Sequence, residues 1–200
     1  MRRQADRAAF ITAHLAVTDL PDLGLRLYLA HPGSGLGRLG AAPPYWAYVW
    51  AGGAALARHV RGLDLRGLRV LDFGAGSGVA GIAAARAGAK VLARESDPWG
   101  RAALLLNAGL NGVSLALTRG RPRVDIVLAG DVFYAPDVAA QVLPVLEGLR
   151  AGGATVLVGD PGRADLPRVG LALVARYQVR DMGDGPGVLR RAGVYRLTGG

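Results

Sequence analysis

Apolar positions recur along this chain with two spacings, near four and near two, and the changes between them mark its elements. Ala8, Ala9, Ile11, Leu15 and Ala16 fall at helical spacing. They predict an amphipathic helix over residues 4–17, in a region that Pro21 closes. Leu23, Leu25, Leu27 and Leu29 then alternate with Gly24, Arg26 and Tyr28, the pattern of a half-buried strand. Gly33, Gly35, Gly37 and Gly40 mark a loop over residues 31–42. Residues 43–60 place Tyr45, Trp46, Tyr48 and Trp50 before a Gly52-Gly53 pair and a helix. Leu68, Val70, Leu71 and Phe73 form an apolar run too short for a helix and predict a buried strand. A helix is expected over residues 79–87, closed by Gly88.

Further along, strands are expected over residues 90–93, 113–117, 124–129, 155–158, 177–179 and 188–197. The last of these follows a turn at residues 184–187. Helices are expected over residues 99–108, 138–149 and 166–175. Asp97 and Pro98 read as the cap and first residue of the first of these helices, and Pro144 as a kink in the second. Strand and helix alternate until a final strand pair. That order predicts an α/β fold with a mostly parallel sheet and an antiparallel member at its end.

Composition narrows the classes. Two hundred residues, half of them apolar, suit a single domain with a substantial core. No apolar run is long and uncharged enough to predict a transmembrane helix or a membrane partner. The Arg-rich start, interrupted by Asp6, lacks the apolar stretch of a secretory signal, so a cytoplasmic location is expected. The absence of cysteine excludes disulfides, thiolate metal ligands and a cysteine nucleophile. His14, His31 and His59 are scattered and lack metal-ligand spacing. The net charge of +9 is nearly all arginine, because Lys90 is the one lysine. The arginines stand in ones and twos without interleaved aromatics. They read as a solvated surface rather than a nucleic-acid groove, with an acidic protein face as the next option.

The chemistry concentrates at two strand ends. Gly74, Gly76 and Gly78 follow the strand that ends at Phe73 and precede a helix, a unit that binds nucleotides at the strand's carboxyl end and the helix's positive end. Residues 76–81 also fit the dinucleotide pattern G-x-G-x-x-G, so a nicotinamide-dependent oxidoreductase is a competing reading. Asp72, two residues before the first glycine, and a turn that already begins at Gly74 give D-x-G-x-G-x-G instead. That pattern resembles the first motif of class I S-adenosylmethionine-dependent methyltransferases and draws in Ser77 with the glycines. Glu95, at the end of the next strand and about 20 residues on, is placed to accept hydrogen bonds from ribose hydroxyls. Asp131 and Tyr134, in GDVFY after the strand at 124–129, fall beside the switch point, where a transferable group would be presented.

PPYWAYVWAGGAALARHV, VLDFGAGSGVAGIAAARAGA, ESDPW with LNAGLNGV, DIVLAGDVFY and VLVGDPGR together resemble the electron transfer flavoprotein β-subunit lysine methyltransferases, a family of seven-β-strand protein methyltransferases. The resemblance runs from about residue 5 to 197, and GDVFY matches the D-x-x-Y motif of this branch. It implies a Rossmann-like, seven-stranded, mostly parallel sheet with helices on both faces. The last strand would be antiparallel. A short helix and strand extension over residues 1–49 would precede a core over 50–200. It implies S-adenosylmethionine as cofactor, with contacts from Trp50, Gly74, Ala75, Gly76, Glu95 and Ala129. It implies handling of a substrate lysine by Asp131 and Tyr134, and a protein partner, the electron transfer flavoprotein β subunit. A ribosomal protein or RNA is the alternative substrate. Two departures stand out. Glu95 replaces the family's usual Asp, and LTRGRPRVD lacks the acid that often borders the adenine, so no adenine residue is named.

Overall fold

The computed structural model describes residues 2–40, 43–182 and 188–199. The expected turn at residues 184–187, and Ala42 at the end of the expected glycine loop, lie outside them.

The amino-terminal helix α1 (Arg2–His14) ends three residues sooner than its periodicity predicts. Ala16–Leu20 forms a strand, β1, paired antiparallel with β2 (Leu25–Leu29). Pairing with the adjacent strand overrides the helical spacing. Ile11 and Leu15 pack with Ala102 and Ala103 and with Trp46, which seats α1 on a later helix.

The main sheet has seven strands in the order β5-β4-β3-β6-β7-β9-β8. They are β3 (Arg69–Phe73), β4 (Lys90–Arg94), β5 (Ala116–Leu117), β6 (Ile126–Gly130), β7 (Thr155–Asp160), β8 (Leu171–Arg180) and β9 (Leu189–Leu197). β3 is parallel to β4 and to β6, β4 to β5, and β6 to β7. β9 is antiparallel to both β7 and β8, so it alone runs against the sheet. The order in which strands are added to the sheet switches sides between β3 and β6, and ligands of such sheets bind at that crevice, beyond the strands' carboxyl ends.

Alternation along the central strands divides the core in two. Val70, Leu128 and Leu157 face α2 (Ala51–Val60) and α3 (Val79–Arg86), with Leu104 and Ala108 of α4 (Pro98–Leu110). Leu71, Phe73, Val127, Ala129, Val156 and Val158 face the other way, toward α5 (Pro136–Ala151). Pro144 lies inside α5.

Two expectations are corrected. The helix expected over 166–175 is absent, because β8 begins at Leu171 and pairs with β9 along its whole length, with an irregularity between Leu173 and Ala175. Leucine and alanine there read as helix formers, but a long antiparallel partner decides the conformation. The strand expected over 113–117 shrinks to the two residues that β4 pairs.

Candidate active site

The glycine turn leaves β3 at Phe73 and enters α3 at Val79. Gly74, Gly76 and Gly78 have φ of 69°, 53° and 84°, a left-handed path that side-chain-bearing residues avoid. The amides of Gly74 and Ala75 both donate to the carbonyl of Arg94, tying the turn to the end of β4. Glu95 fastens the other side. Its Oε2 accepts the Gly76 amide at 2.7 Å and its Oε1 the Asp97 amide at 2.8 Å. Asp97 in turn caps α4 by accepting from Trp99, with Pro98 as the first helical residue.

Asp72 is placed differently from the glycines. It is buried beneath the turn and its Oδ2 accepts the Gly81 amide of α3 at 2.9 Å. That amide is one of the first-turn donors with no partner inside the helix, so a carboxylate there satisfies the helix start. Burial pushes the Asp72 carboxyl up to about 7, against the pull of the Gly81 bond and with a further push from Glu95.

The second strand end is built by glycines of another kind. Gly52 and Gly53, at the start of α2, lie directly on Gly130 and Gly159 at the ends of β6 and β7. A Cβ on Gly52 would stand 2.0 Å from the Gly159 carbonyl oxygen, and one on Gly130 would stand 2.8 Å from the Gly53 Cα. This contact brings the positive end of α2 onto Asp131, whose Oδ2 accepts the Gly53 amide at 2.7 Å. Asp131 is the one non-glycine residue with positive φ, 56°, among the described residues. Its own amide donates to the Gly159 carbonyl. Its Oδ1 accepts from Arg163 Nη1 at 2.5 Å, and the same nitrogen lies 3.3 Å from Asp160 Oδ2. Burial raises the Asp131 carboxyl to about 6, while Arg163 and the Gly53 amide pull it down and Asp160 pushes it up.

Aromatic rings stand at the mouth. Tyr45 lies 5.7 Å from Trp50 and 5.4 Å from Tyr134, centroid to centroid, and the Trp50 indole N–H donates to the Tyr45 carbonyl at 2.9 Å. Tyr45 and Tyr134 are each about half exposed. Burial, then Tyr45, Asp137 and Glu95, raise the Tyr134 phenol.

These parts enclose one cleft of about 830 Å³. Of the residues expected at the site, Trp50, Gly74, Gly76, Glu95, Asp131 and Tyr134 line it. Asp72, Ala75, Ser77, Gly78 and Ala129 do not: Ser77 and Ala129 are buried, and Gly78 faces Leu104 and Ile82. Tyr45, Arg94, Arg163 and the α5 wall of Val138, Gln141, Val142 and Val145 line the cleft as well; the sequence placed Tyr45 in the aromatic segment and Arg163 in a turn-rich loop at the substrate mouth without giving either a role, and left the others unassigned. Nothing in the local pattern of Arg94 or the α5 residues separates them from surface or core. Arg94, whose guanidinium lies 5.0 Å from the Phe73 ring centroid, would need the register of β3 on β4 to be known. Arg163 had a signal, since VLVGDPGR ends on it.

Comparison with known proteins agrees with this arrangement. A family model described as ribosomal protein L11 methyltransferase (PrmA) matches residues 56–136. The electron transfer flavoprotein beta subunit lysine methyltransferase of Mus musculus is 41% identical over 133 residues, 60% of this chain and 51% of that protein. Its Homo sapiens counterpart is 39% identical over 133 residues, 60% of this chain and 50% of that protein. The ribosomal protein L11 methyltransferase of Thermus thermophilus is 34% identical over 143 residues, 68% of this chain and 54% of that protein. This chain thus spans about half the length of the curated relatives it matches. Among solved structures, the ribosomal protein L11 methylase of Lactobacillus delbrueckii subsp. bulgaricus superposes with a TM-score of 0.51 at 20% identity, covering 72% of this chain and 77% of that one. The magnesium protoporphyrin IX methyltransferase of Synechocystis, solved with bound SAM, gives 0.51 at 17% identity, covering 71% and 76%. The fold of this chain is the one these solved methyltransferases share, and over 133 residues its sequence is similar to the electron transfer flavoprotein β-subunit lysine methyltransferases.

Proposed function

We propose that this chain is an S-adenosylmethionine-dependent protein-lysine N-methyltransferase acting on the β subunit of electron transfer flavoprotein. The names of the relatives support the substrate. The observation that carries the reaction is Asp131, held by Gly53 and Arg163 at the cleft wall beside a glycine turn and a ring-lined mouth.

The cleft fits the cofactor. Its volume lies within the range of small-molecule sites, and Gly74 and Gly76 leave the main chain open along one side. Glu95 spends one lone pair of Oε2 on the Gly76 amide, while Oε1 takes the Asp97 amide and, at 3.5 Å, the Ser96 hydroxyl, so Oε2 keeps a lone pair for a ribose hydroxyl. The apolar α5 wall of Val138, Val142 and Val145 suits an adenine ring. Bound there, the cofactor supplies an electrophilic methyl on a sulfonium sulfur.

What the protein must supply is a neutral amine, correctly aimed. With an unperturbed pKa of about 10.4, fewer than a thousandth of lysine amines are neutral at pH 7. Asp131 accepts a hydrogen bond from the arriving nitrogen and fixes its lone pair. Tyr45, Trp50 and Tyr134 form the wall along the lysine stem. The proton the nitrogen must shed leaves for water at the exposed rim that Tyr45 and Tyr134 form.

Asp131→Ala is expected to abolish methyl transfer while affinity for S-adenosylhomocysteine, by calorimetry, stays within a few fold. Wild-type turnover in that variant would overturn the assignment. A ribosomal protein substrate is the second reading, favoured by the family model over residues 56–136. Mass spectrometry of a lysate labelled with radioactive methyl would place the label on one protein or the other.

A further inference from the structure

Asp131, Asp160 and Arg163 form a cluster with two carboxylates and one guanidinium. Asp160 is fully buried at the end of β7, and its Oδ1 accepts the amides of Gly162 and Arg163 at 2.6 and 2.7 Å. The loop that carries Arg163 is therefore folded back on the strand that precedes it. This places one nitrogen, Nη1, between Asp131 Oδ1 and Asp160 Oδ2. The Arg163 side chain is still about a quarter exposed, and that exposed part lines the cleft. A permanent cation thus touches the carboxylate that is to receive the amine.

We propose that Arg163 is a positioning residue for methyl transfer: its guanidinium fixes the Asp131 carboxylate and keeps the target amine in its neutral, nucleophilic form. The inference rests on the lysine methyltransferase reading. The effect is electrostatic. A carboxylate oxygen can accept two hydrogen bonds, so Oδ1 can hold Arg163 and the amine together. A protonated amine in that position would meet a second positive charge a few ångströms away, whereas a neutral amine would not. Without Arg163 the amine would meet Asp131 held by the Gly53 amide alone, with buried Asp160 behind it, a net negative charge that stabilises ammonium. Arginine suits the task because it stays protonated at any working pH, and here Asp131 and Asp160 outweigh the burial that pulls it down.

The other charged or titratable groups on the cleft are Arg94, Glu95 and Asp97 beside the glycine turn, and Tyr45 and Tyr134 at the mouth, with Asp137 at the start of α5 acting on Tyr134. The positive end of α2 reaches Asp131 through Gly53. All remain in an Arg163 variant, but the Asp131 carboxyl, which Arg163 pulls down, would itself titrate higher, so the butylammonium arm, read at about pH 8.5 where that carboxyl is ionised in wild type, is needed beside the pH profile.

The test compares the full chain with Arg163→Met and Arg163→Lys. Methyl transfer to electron transfer flavoprotein β subunit is followed between roughly pH 6 and 10, where the amine's deprotonation limb falls. In Arg163→Met that limb is expected to move up by roughly one to two pH units, with loss at neutral pH recovered in alkali. In Arg163→Lys it should stay near the wild-type position. With S-adenosylhomocysteine bound, n-butylammonium should bind Arg163→Met roughly tenfold more tightly than wild type by calorimetry, a change of about one pK unit in the same balance. This arm needs no turnover and stands even if the flavoprotein is not the substrate. An unmoved limb, an Arg163→Met enzyme faster than wild type at neutral pH, or unchanged butylammonium affinity would overturn the proposal. A wild-type chain that methylates no protein would overturn the lysine reading instead.

Discussion

Asp72 and Asp131 are both buried carboxylates near the carboxyl ends of adjacent strands, and their partners give them different work. Asp131 has a guanidinium, a helix amide and an opening to the cleft. Asp72 has the Gly81 amide, and it faces the core. The pH consequence of Asp72 follows from linkage. Its carboxyl rises from an ordinary value near 3.8 to about 7 on folding. Between those values the folded state holds the proton and the unfolded state has lost it. Its contribution to stability is thus fully present below about 4 and is lost as pH rises through 7. Asp131, raised to about 6, contributes with the same sign. Asp72→Asn should therefore flatten the decline of stability between about pH 4 and 7, measured by thermal melts across that window. An equally steep decline in the variant would contradict a proton held on Asp72.

At the scale of elements, the decisive contact is α2 on the ends of β6 and β7. Helix and strands approach until main chain meets main chain, at Gly52 with Gly159 and Gly53 with Gly130. The clash that a Cβ on Gly52 would make is with a carbonyl, which cannot rotate away like a flexible side chain. Gly52→Ala should cost about 1–3 kcal/mol of stability, read from urea unfolding. It should also lower methyl transfer more than it lowers cofactor affinity, because the Gly53 amide would be drawn off Asp131. Stability and activity equal to wild type would mean that α2 can slide without consequence. The same contact explains why a Gly-Gly pair opens this helix, a poor choice by propensity alone.

For the whole molecule, the two faces of the sheet differ. α2 and α3 cover one face with help from α4, while α5 is the helix that packs on the other, and its exposed side supplies a wall of the cleft. A ligand filling that cleft would bridge β3, β4, β6 and α5, so it should stabilise the fold as a unit. At about a hundredfold its dissociation constant, S-adenosylhomocysteine adds about 2.7 kcal/mol. For a chain of this length that is a rise of roughly 5–10 °C in the melting temperature. NAD should give no rise. The reverse result would restore the oxidoreductase reading that G-x-G-x-x-G left open.

The sequence by itself determined the α/β alternation, the strand–glycine turn–helix unit, the cap at Asp97 and the antiparallel last strand. Each of these is written in neighbouring residues: an apolar run, three glycines two apart, an Asp-Pro pair. It also gave the positions of Glu95 and Asp131, because an acid at the end of a strand needs nothing but the strand to be placed. The tertiary structure alone decided the β1–β2 hairpin, β8 in place of a helix, and the turn of Asp72 toward Gly81. It alone brought Arg163 onto Asp131, across 32 residues of chain. Those outcomes depend on partners outside the local pattern, from five residues away at the β1–β2 turn to 32 at Arg163. A window of residues records propensity, and a hydrogen bond or ion pair formed across strands outweighs it.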